Sequence, residues 1–224
     1  MTQPHTQPNQ ALSDLWNSRG GEVWVVQQHL LDRLFLPFER LLSDAVAASD
    51  ARSILDIGCG AGATTLAAAR RLAPEGRCTG LDISAPLITA ARRRAETEGL
   101  TNAHFIVGDA QDHAFAPHSF DAVISRFGVM FFDEPATAFG NVQRSIRPGG
   151  RFVAVVWAEL DANPWMFVPT MYAAAPLNAD LTLPARGEPG PFSLADPDEG
   201  RALIETCGFR DVDVVRLERA WRFD

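Results

Sequence analysis

The sequence predicts an α/β fold: a doubly wound, mostly parallel sheet covered by N-terminal helices, with an insertion after its fifth strand. Two observations point there. Short apolar runs rich in β-branched residues alternate with helix-forming stretches from Ile54 to Trp157, the rhythm of strand–helix–strand crossovers. The first of these runs ends in Gly58, Gly60 and Gly62, a glycine turn that opens into a helix.

That turn is the stretch around which the rest is arranged. Ser53 to Ile57 is short and apolar, as a buried strand is. Ala63 to Leu72 is a run of good helix formers with few bulky side chains. Missing Cβ atoms at the turn let a ligand approach the backbone, and the helix start adds N–H groups and a positive dipole end. Gly58, Gly60 and Ala63 satisfy the dinucleotide pattern G-x-G-x-x-G/A. Asp56, two residues ahead of the first glycine, speaks for a different ligand, because a carboxylate at the strand mouth suits a cation and repels a pyrophosphate.

Ala11 to Ala48 comes before this unit. Leu12, Leu15 and Trp16, then Val26, Leu30, Leu34 and Phe38, recur near the helical period. Two or three helices over the sheet's mouth are expected, with Pro37 as a kink or division. Trp16 and Trp24 either line a pocket there or serve as packing aromatics. Gly76 to Ser84 reads as the second strand, ending in Asp82. Ala85 to Glu98 is the next helix, with Ser84 as its cap and Gly99 as its stop. Asp82 stands about twenty residues beyond the glycine turn, where a carboxylate accepts ribose hydroxyls.

Asn102 to Ala110 is the third strand and its exit, with Asp109 at the tip. Phe120 to Gly128 is the fourth, with Ser125 and Arg126 at its end. A helix over 133–146 has Asp133 as its cap, Arg147 to Gly150 turns the chain, and Arg151 to Trp157 is the fifth strand. Ligands of such sheets bind beyond the strands' carboxyl ends. Asp56, Asp82, Asp109 and Ser125 all fall there by this register.

Ala158 to Ala195 breaks the rhythm with six prolines among Trp165, Met166, Phe167 and Tyr172. It is too apolar for a plain linker, and structureless segments of that length usually carry function. A helix over 197–207 and a sixth strand over 211–223 are expected after it. The predicted organisation is therefore a disordered tail (1–10), covering helices (11–50), a cofactor-binding core (51–157), a lid or substrate insertion (158–195), and a C-terminal helix and strand completing the core (196–224).

Composition sets outer bounds. The 224 residues are 46% hydrophobic and 21% charged, an ordinary globular balance. A net charge of −8 argues against a phosphate-neutralising, nucleic-acid-binding surface. Cys59, Cys78 and Cys207 are odd in number and far apart. They form neither a disulfide framework nor a metal-ligand spacing, so the expected setting is cytoplasmic and no metal is expected. No apolar run reaches the length of a membrane span.

Taken motif by motif, Ile54 to Trp157 resembles the class I S-adenosylmethionine-dependent methyltransferases. Ile54 to Gly62 is similar to their cofactor loop, Leu81-Asp82-Ile83-Ser84 to the segment bearing the ribose acid, and Gly108-Asp109-Ala110 to the adenine contact. Phe120 to Val123 resembles the fourth strand, and Arg147 to Gly150 the turn before the fifth. The nearest likeness is to the ubiquinone/menaquinone C-methyltransferase-like branch, with Asn163-Pro164-Trp165 as a further reminder of it.

The resemblance implies S-adenosylmethionine as cofactor and a small-molecule acceptor methylated at O or C, chiefly by positioning. It implies cofactor contacts at Asp56, Gly58, Cys59, Gly60, Asp82, Ile83, Asp109, Ala110 and Ser125. Substrate contacts are expected at Trp16, Trp24, Arg126 and Trp165. The fourth strand ends in Ser125-Arg126-Phe127-Gly128, not in the Asn/Asp-Pro-Pro-aromatic sequence of enzymes that methylate amino groups of bases or glutamine. His29, His113 and His118 are candidate bases, and none is assigned. Family members usually end in an antiparallel sixth and seventh strand; only a sixth is expected here, which implies a truncated chain, a domain exchange between subunits or a rearranged edge, and a bare edge invites pairing, as in a homodimer. The alternatives are a non-enzymatic cofactor-binding module and an NAD(P)-linked oxidoreductase.

Overall fold

A computed structural model describes residues 9–166, 168, 172 and 187–220. Three helices open the described chain: α1 (Gln10–Trp16), α2 (Arg19–Val26) and α3 (Gln28–Ala47). The core follows as β1 (Ser53–Ile57), α4 (Ala63–Leu72), β2 (Arg77–Asp82), α5 (Ala85–Glu98), β3 (Ala103–Val107), β4 (Phe120–Arg126), α6 (Pro135–Ser145) and β5 (Ile146–Val155). Helix α7 (Pro197–Thr206) comes last. All five strands run parallel, in the order β3-β2-β1-β4-β5.

The pattern of side chains explains the layers. Successive strand residues face opposite sides of a sheet. Ile54 therefore joins Ala122 and Ile124 on one face, and Leu55 and Ile57 join Val123 on the other. The first face is covered by α3, α4 and α5. Helix α4 buries Ala67, Ala68 and Ala69 at the sheet; small side chains let it lie close, and α3 packs on it with Phe35, Phe38, Leu42 and Val46 turned inward. The second face is covered by Phe139 and Val142 of α6 and by Leu203 and Ile204 of α7. The strand order reverses direction between β1 and β4, which opens a crevice at their carboxyl ends.

Several boundaries differ from the expectations. Helix α3 runs unbroken through Pro37. The residue ahead of α6 is Glu134, without a side-chain cap, and not Asp133; the Asp133 N–H donates to Asn9 Oδ1 at 2.8 Å instead. Arg147 to Gly150 lies inside β5 at an irregularity, and regular pairing with β4 starts at Ala122 and Arg151. Within the expected disordered tail, Asn9 is buried and Gln10 begins α1; residues 1–8 lie outside the described residues. The expected sixth strand is not found. Residues 211–220 form no strand, and 221–224 lie outside the described residues. Much of the insertion, including Phe167, also lies outside them. Among the described residues no helix is long and apolar enough to cross a membrane.

Candidate active site

The glycine turn is built by its neighbours. The Gly58 and Cys59 N–H groups both donate to Leu81 O, at 2.8 and 3.1 Å. These bonds hook the end of β1 onto β2. The Gly60 N–H donates to Asp82 Oδ2 at 2.8 Å, and the Gly62 N–H to Cys59 O at 2.9 Å. Gly58 has a φ of +65°, and a Cβ there would stand 2.6 Å from Gly128 Cα. Gly58 thus answers two demands at once, a left-handed backbone and contact with the loop after β4. Gly60, at φ +55°, has open space where its Cβ would be. That space belongs to the cavity.

Three acids stand at neighbouring strand tips, and each is held differently. Asp82 accepts from the Gly60 N–H on one oxygen and from the Ser84 N–H, at 2.9 Å, on the other. Burial raises its pKa, and these two bonds pull it back. Asp109 accepts from the Gln111 N–H at 2.9 Å and from Asn9 Nδ2 at 2.7 Å. Asp56 is 1% exposed. Its Oδ2 accepts from the hydroxyls of Thr64 and Thr65, both at 2.6 Å, while Oδ1 has no partner among the described residues. Burial pushes its carboxyl up to about 6, against the pull of the two hydroxyls and of Arg126.

A cavity of about 380 Å³ opens over these tips. Of the sequence-predicted residues, Gly58, Cys59, Gly60, Asp82, Ile83, Asp109, Ala110, Trp16, Trp24, Arg126 and Trp165 line it. Two do not, and these expectations are corrected. Asp56 lies beneath the turn, facing α4. Ser125 is fully buried and donates to Ile57 O at 2.8 Å, while its Oγ accepts from the Gly128 N–H at 3.3 Å. Ser125 ties β4 to β1 and has no free surface for a ligand.

The candidate bases also lie elsewhere. His113 packs edge-on to Phe115, His118 Nδ1 sits 3.0 Å from Ile146 O, and neither these nor His29 lines the cavity.

The far wall is aromatic. Trp16 meets Trp24 edge-on at 5.5 Å, and Trp24 stacks on Phe35 at 6.5 Å. Phe127 lies flat on Trp157 at 4.0 Å, and Trp157 meets Trp165 at 5.4 Å. Phe127 has a φ of +64°, an uncommon conformation for a bulky residue, of the kind found where a site is shaped. Sequence reasoning missed Phe127, Trp157, Gln28 and Phe35. The last two share a face of α3 at i and i+7, and Trp157 follows β5 by two residues at the ligand edge, so all three had a signal. Phe127 had none, since a positive φ leaves no mark on a phenylalanine. Asn9, in a polar tail, had none either.

Comparison with known proteins agrees with this geometry. Residues 54–150 match the model of the methyltransferase domain. A nocamycin O-methyltransferase from Saccharothrix syringae is 35% identical over 52% of this chain and 42% of its own length. A ubiquinone/menaquinone biosynthesis C-methyltransferase from Dinoroseobacter shibae is 33% identical over 55% of this chain and 49% of its own. The chain thus spans about half the length of these curated relatives. A Methanococcus maripaludis structure described as a putative S-adenosyl-L-methionine-dependent methyltransferase shares the fold, with a TM-score of 0.64 and 17% identity over 96% of this chain and 91% of that one. Over residues 54–150, the part that holds the glycine turn and the strand-tip acids, this chain is similar to the methyltransferase domain family.

Proposed function

We propose that this chain transfers a methyl group from S-adenosylmethionine to an oxygen or carbon of a small-molecule acceptor. One observation carries the choice of cofactor over a dinucleotide. Gly58, Cys59, Gly60 and Gly62 all donate their N–H groups inside the protein. Phosphate cradles need such donors free, and three nearby carboxylates add repulsion. A sulfonium and an ammonium meet no such obstacle.

In this reading each Asp82 oxygen keeps a lone pair for a ribose hydroxyl, and Asp109 keeps acceptor capacity for an adenine amino group beside Asn9. The Ala110 N–H faces a ring nitrogen. Cys59 and Ile83 supply apolar contact, and Gly58 and Gly60 permit close approach. Asp56 acts as a charge beneath the turn. S-adenosylmethionine brings a methyl group that is already electrophilic, so the protein's work is to align acceptor and donor and to exclude water. Trp16, Trp24, Arg126 and Trp165 hold the acceptor, with the 158–195 segment as a lid.

The acceptor is read as a small molecule, with neither nucleic acid nor a membrane span involved. Reduced, separate cysteines support a cytoplasmic setting, and β5, unpaired on one side among the described residues, supports a homodimer. Calorimetry with S-adenosylhomocysteine and with NAD tests the cofactor: binding of the first is expected, and binding of NAD alone would reject the proposal. Transfer of labelled methyl to a metabolite panel then tests the activity.

A further inference from the structure

Beyond the cofactor end, the cavity is lined by a guanidinium with a nitrogen that no described residue hydrogen-bonds. Arg126 ends β4, and its guanidinium carbon lies 5.6 Å from the centre of the Phe35 ring. Its Nη1 is shut off from solvent and has no hydrogen-bond partner among the described residues, nor does any carboxylate among them make an ion pair with Arg126. The acids that act on its charge, Asp32, Asp56 and Glu39, do so without an ion-pair contact among the described residues. Asp32 is bound by Arg94 at 2.7 Å. Asp56 Oδ2 is taken up by the hydroxyls of Thr64 and Thr65. A buried cation without a contacting anion is costly, and the cavity is the place from which an anion can reach it.

A second orphan belongs to a residue lining the same cavity: Gln28 Oε1, buried and without a donor among the described residues. Around both atoms the walls are aromatic, with Trp24, Phe35, Trp157 and Trp165. Among the described residues, no histidine, lysine or tyrosine lines the cavity, and the Cys59 thiol is pushed well above its ordinary value by burial. The carboxylate that lines this end, Asp32, is held by Arg94 at 2.7 Å.

Building on the methyl-transfer reading, we infer that the acceptor is a flat, conjugated organic acid already ionised at neutral pH, a carboxylate or its vinylogous equivalent. Arg126 Nη1 binds one of the two oxygens that share its charge. The ring system lies among the aromatic walls, and a hydroxyl or N–H on it donates to Gln28 Oε1. A lone pair on the acceptor's anionic oxygen forms the new C–O bond. The methyl–sulfur bond breaks, with its electron pair going to sulfur. A cation and an anion become two neutral molecules, and no proton has to leave in the step. This suits a cavity lined, among the described residues, by no histidine, lysine or tyrosine.

The test is calorimetry on the full chain, saturated with S-adenosylhomocysteine, using 2-naphthoate and 2-naphthamide as matched probes. The naphthoate is expected to bind at least about tenfold more tightly than the amide, the scale of a charge-assisted hydrogen bond. In Arg126→Met and Arg126→Gln the two probes should bind within about twofold of each other, with S-adenosylhomocysteine still bound. Equal binding of the probes to the unaltered protein, binding of neither, or a preference that survives Arg126→Met would overturn the inference. The first comparison needs no variant, so a misfolded substitution does not rescue it. Failure of S-adenosylhomocysteine to bind would sink the methyl-transfer reading itself, a result distinct from cofactor binding without acid preference.

Discussion

Asp82 holds the Gly60 and Ser84 N–H groups and, in the proposed complex, two ribose hydroxyls as well. Asp82→Ala should therefore weaken S-adenosylhomocysteine binding by about 1.5–3 kcal/mol for the lost charge-assisted hydrogen bonds, read by titration calorimetry; unchanged affinity would remove Asp82 from the site. Asp56 makes a different prediction, about pH. Its folded pKa of about 6 lies above its ordinary value, so the folded state holds a proton that the unfolded chain releases. Its contribution is fully present below about pH 4 and is lost as pH rises through about 6, on the order of 3 kcal/mol. Asp56→Asn should lack this decline when melting temperature is followed from pH 4 to 7; parallel curves for the two proteins would refute it. All three strand-tip acids were legible, because an acid that follows an apolar β-branched run marks the strand's end. What each one touches was not. Whether Asp56 and Ser125 face the ligand or the neighbouring element depends on packing around the strand, which period alone does not reveal.

At the scale of the element, the turn separates folding from binding within three residues. Gly60→Ala places a methyl group in open cavity and costs only the left-handed strain of roughly 1–2 kcal/mol, yet it occupies the space a ligand needs. Gly58→Ala drives a methyl group into the Gly128 backbone. The first variant should remain folded by circular dichroism and lose affinity for S-adenosylhomocysteine. The second should lose several degrees more in melting temperature. Equal melting points would contradict the geometry. The first three strands could be read because each combines β-branched residues with a glycine or acid at its exit, and β4 and β5 because of their valines and isoleucines. The expected sixth strand misled for a related reason. Residues 211–217 alternate as a strand does, but Val214, Val215 and Leu217 are 41%, 65% and 39% exposed, and no described residue pairs with that backbone. Alternation reports a segment's capacity to pair and is silent about whether a partner is at hand.

Over the whole molecule, the first two helices form a roof stapled to the sheet at a few points. Ser84 Oγ donates to Trp16 O at 2.6 Å, the Ala85 N–H to Asn17 Oδ1 at 2.9 Å, and Asn17 Nδ2 to Ile83 O at 3.0 Å. Asn9 adds its bond to Asp109. Beneath it the sheet is dense: Leu55, Val123 and Ile124 are fully buried. Regions with few buried contacts open at lower free energy than the core. S-adenosylhomocysteine should therefore slow amide exchange in residues 10–26 far more than in β1 and β4, measured by mass spectrometry; uniform protection would show the roof to be no separate layer. The helical period and aromatic content made a covering layer legible. Its attachment was not, because it depends on single side chains, Asn9 and Asn17, that carry no pattern.

The back-to-back contact of Gly58 with Gly128 reaches beyond either loop. A Cβ on one meets the other's Cα at 2.6 or 2.7 Å, and neither partner has a side chain left to shorten. Mutational drift at one position has no compensating change at the other. A library randomised at both codons and selected for function should return the same pair every time, while Gly60, with room around it, tolerates more among clones chosen only for solubility.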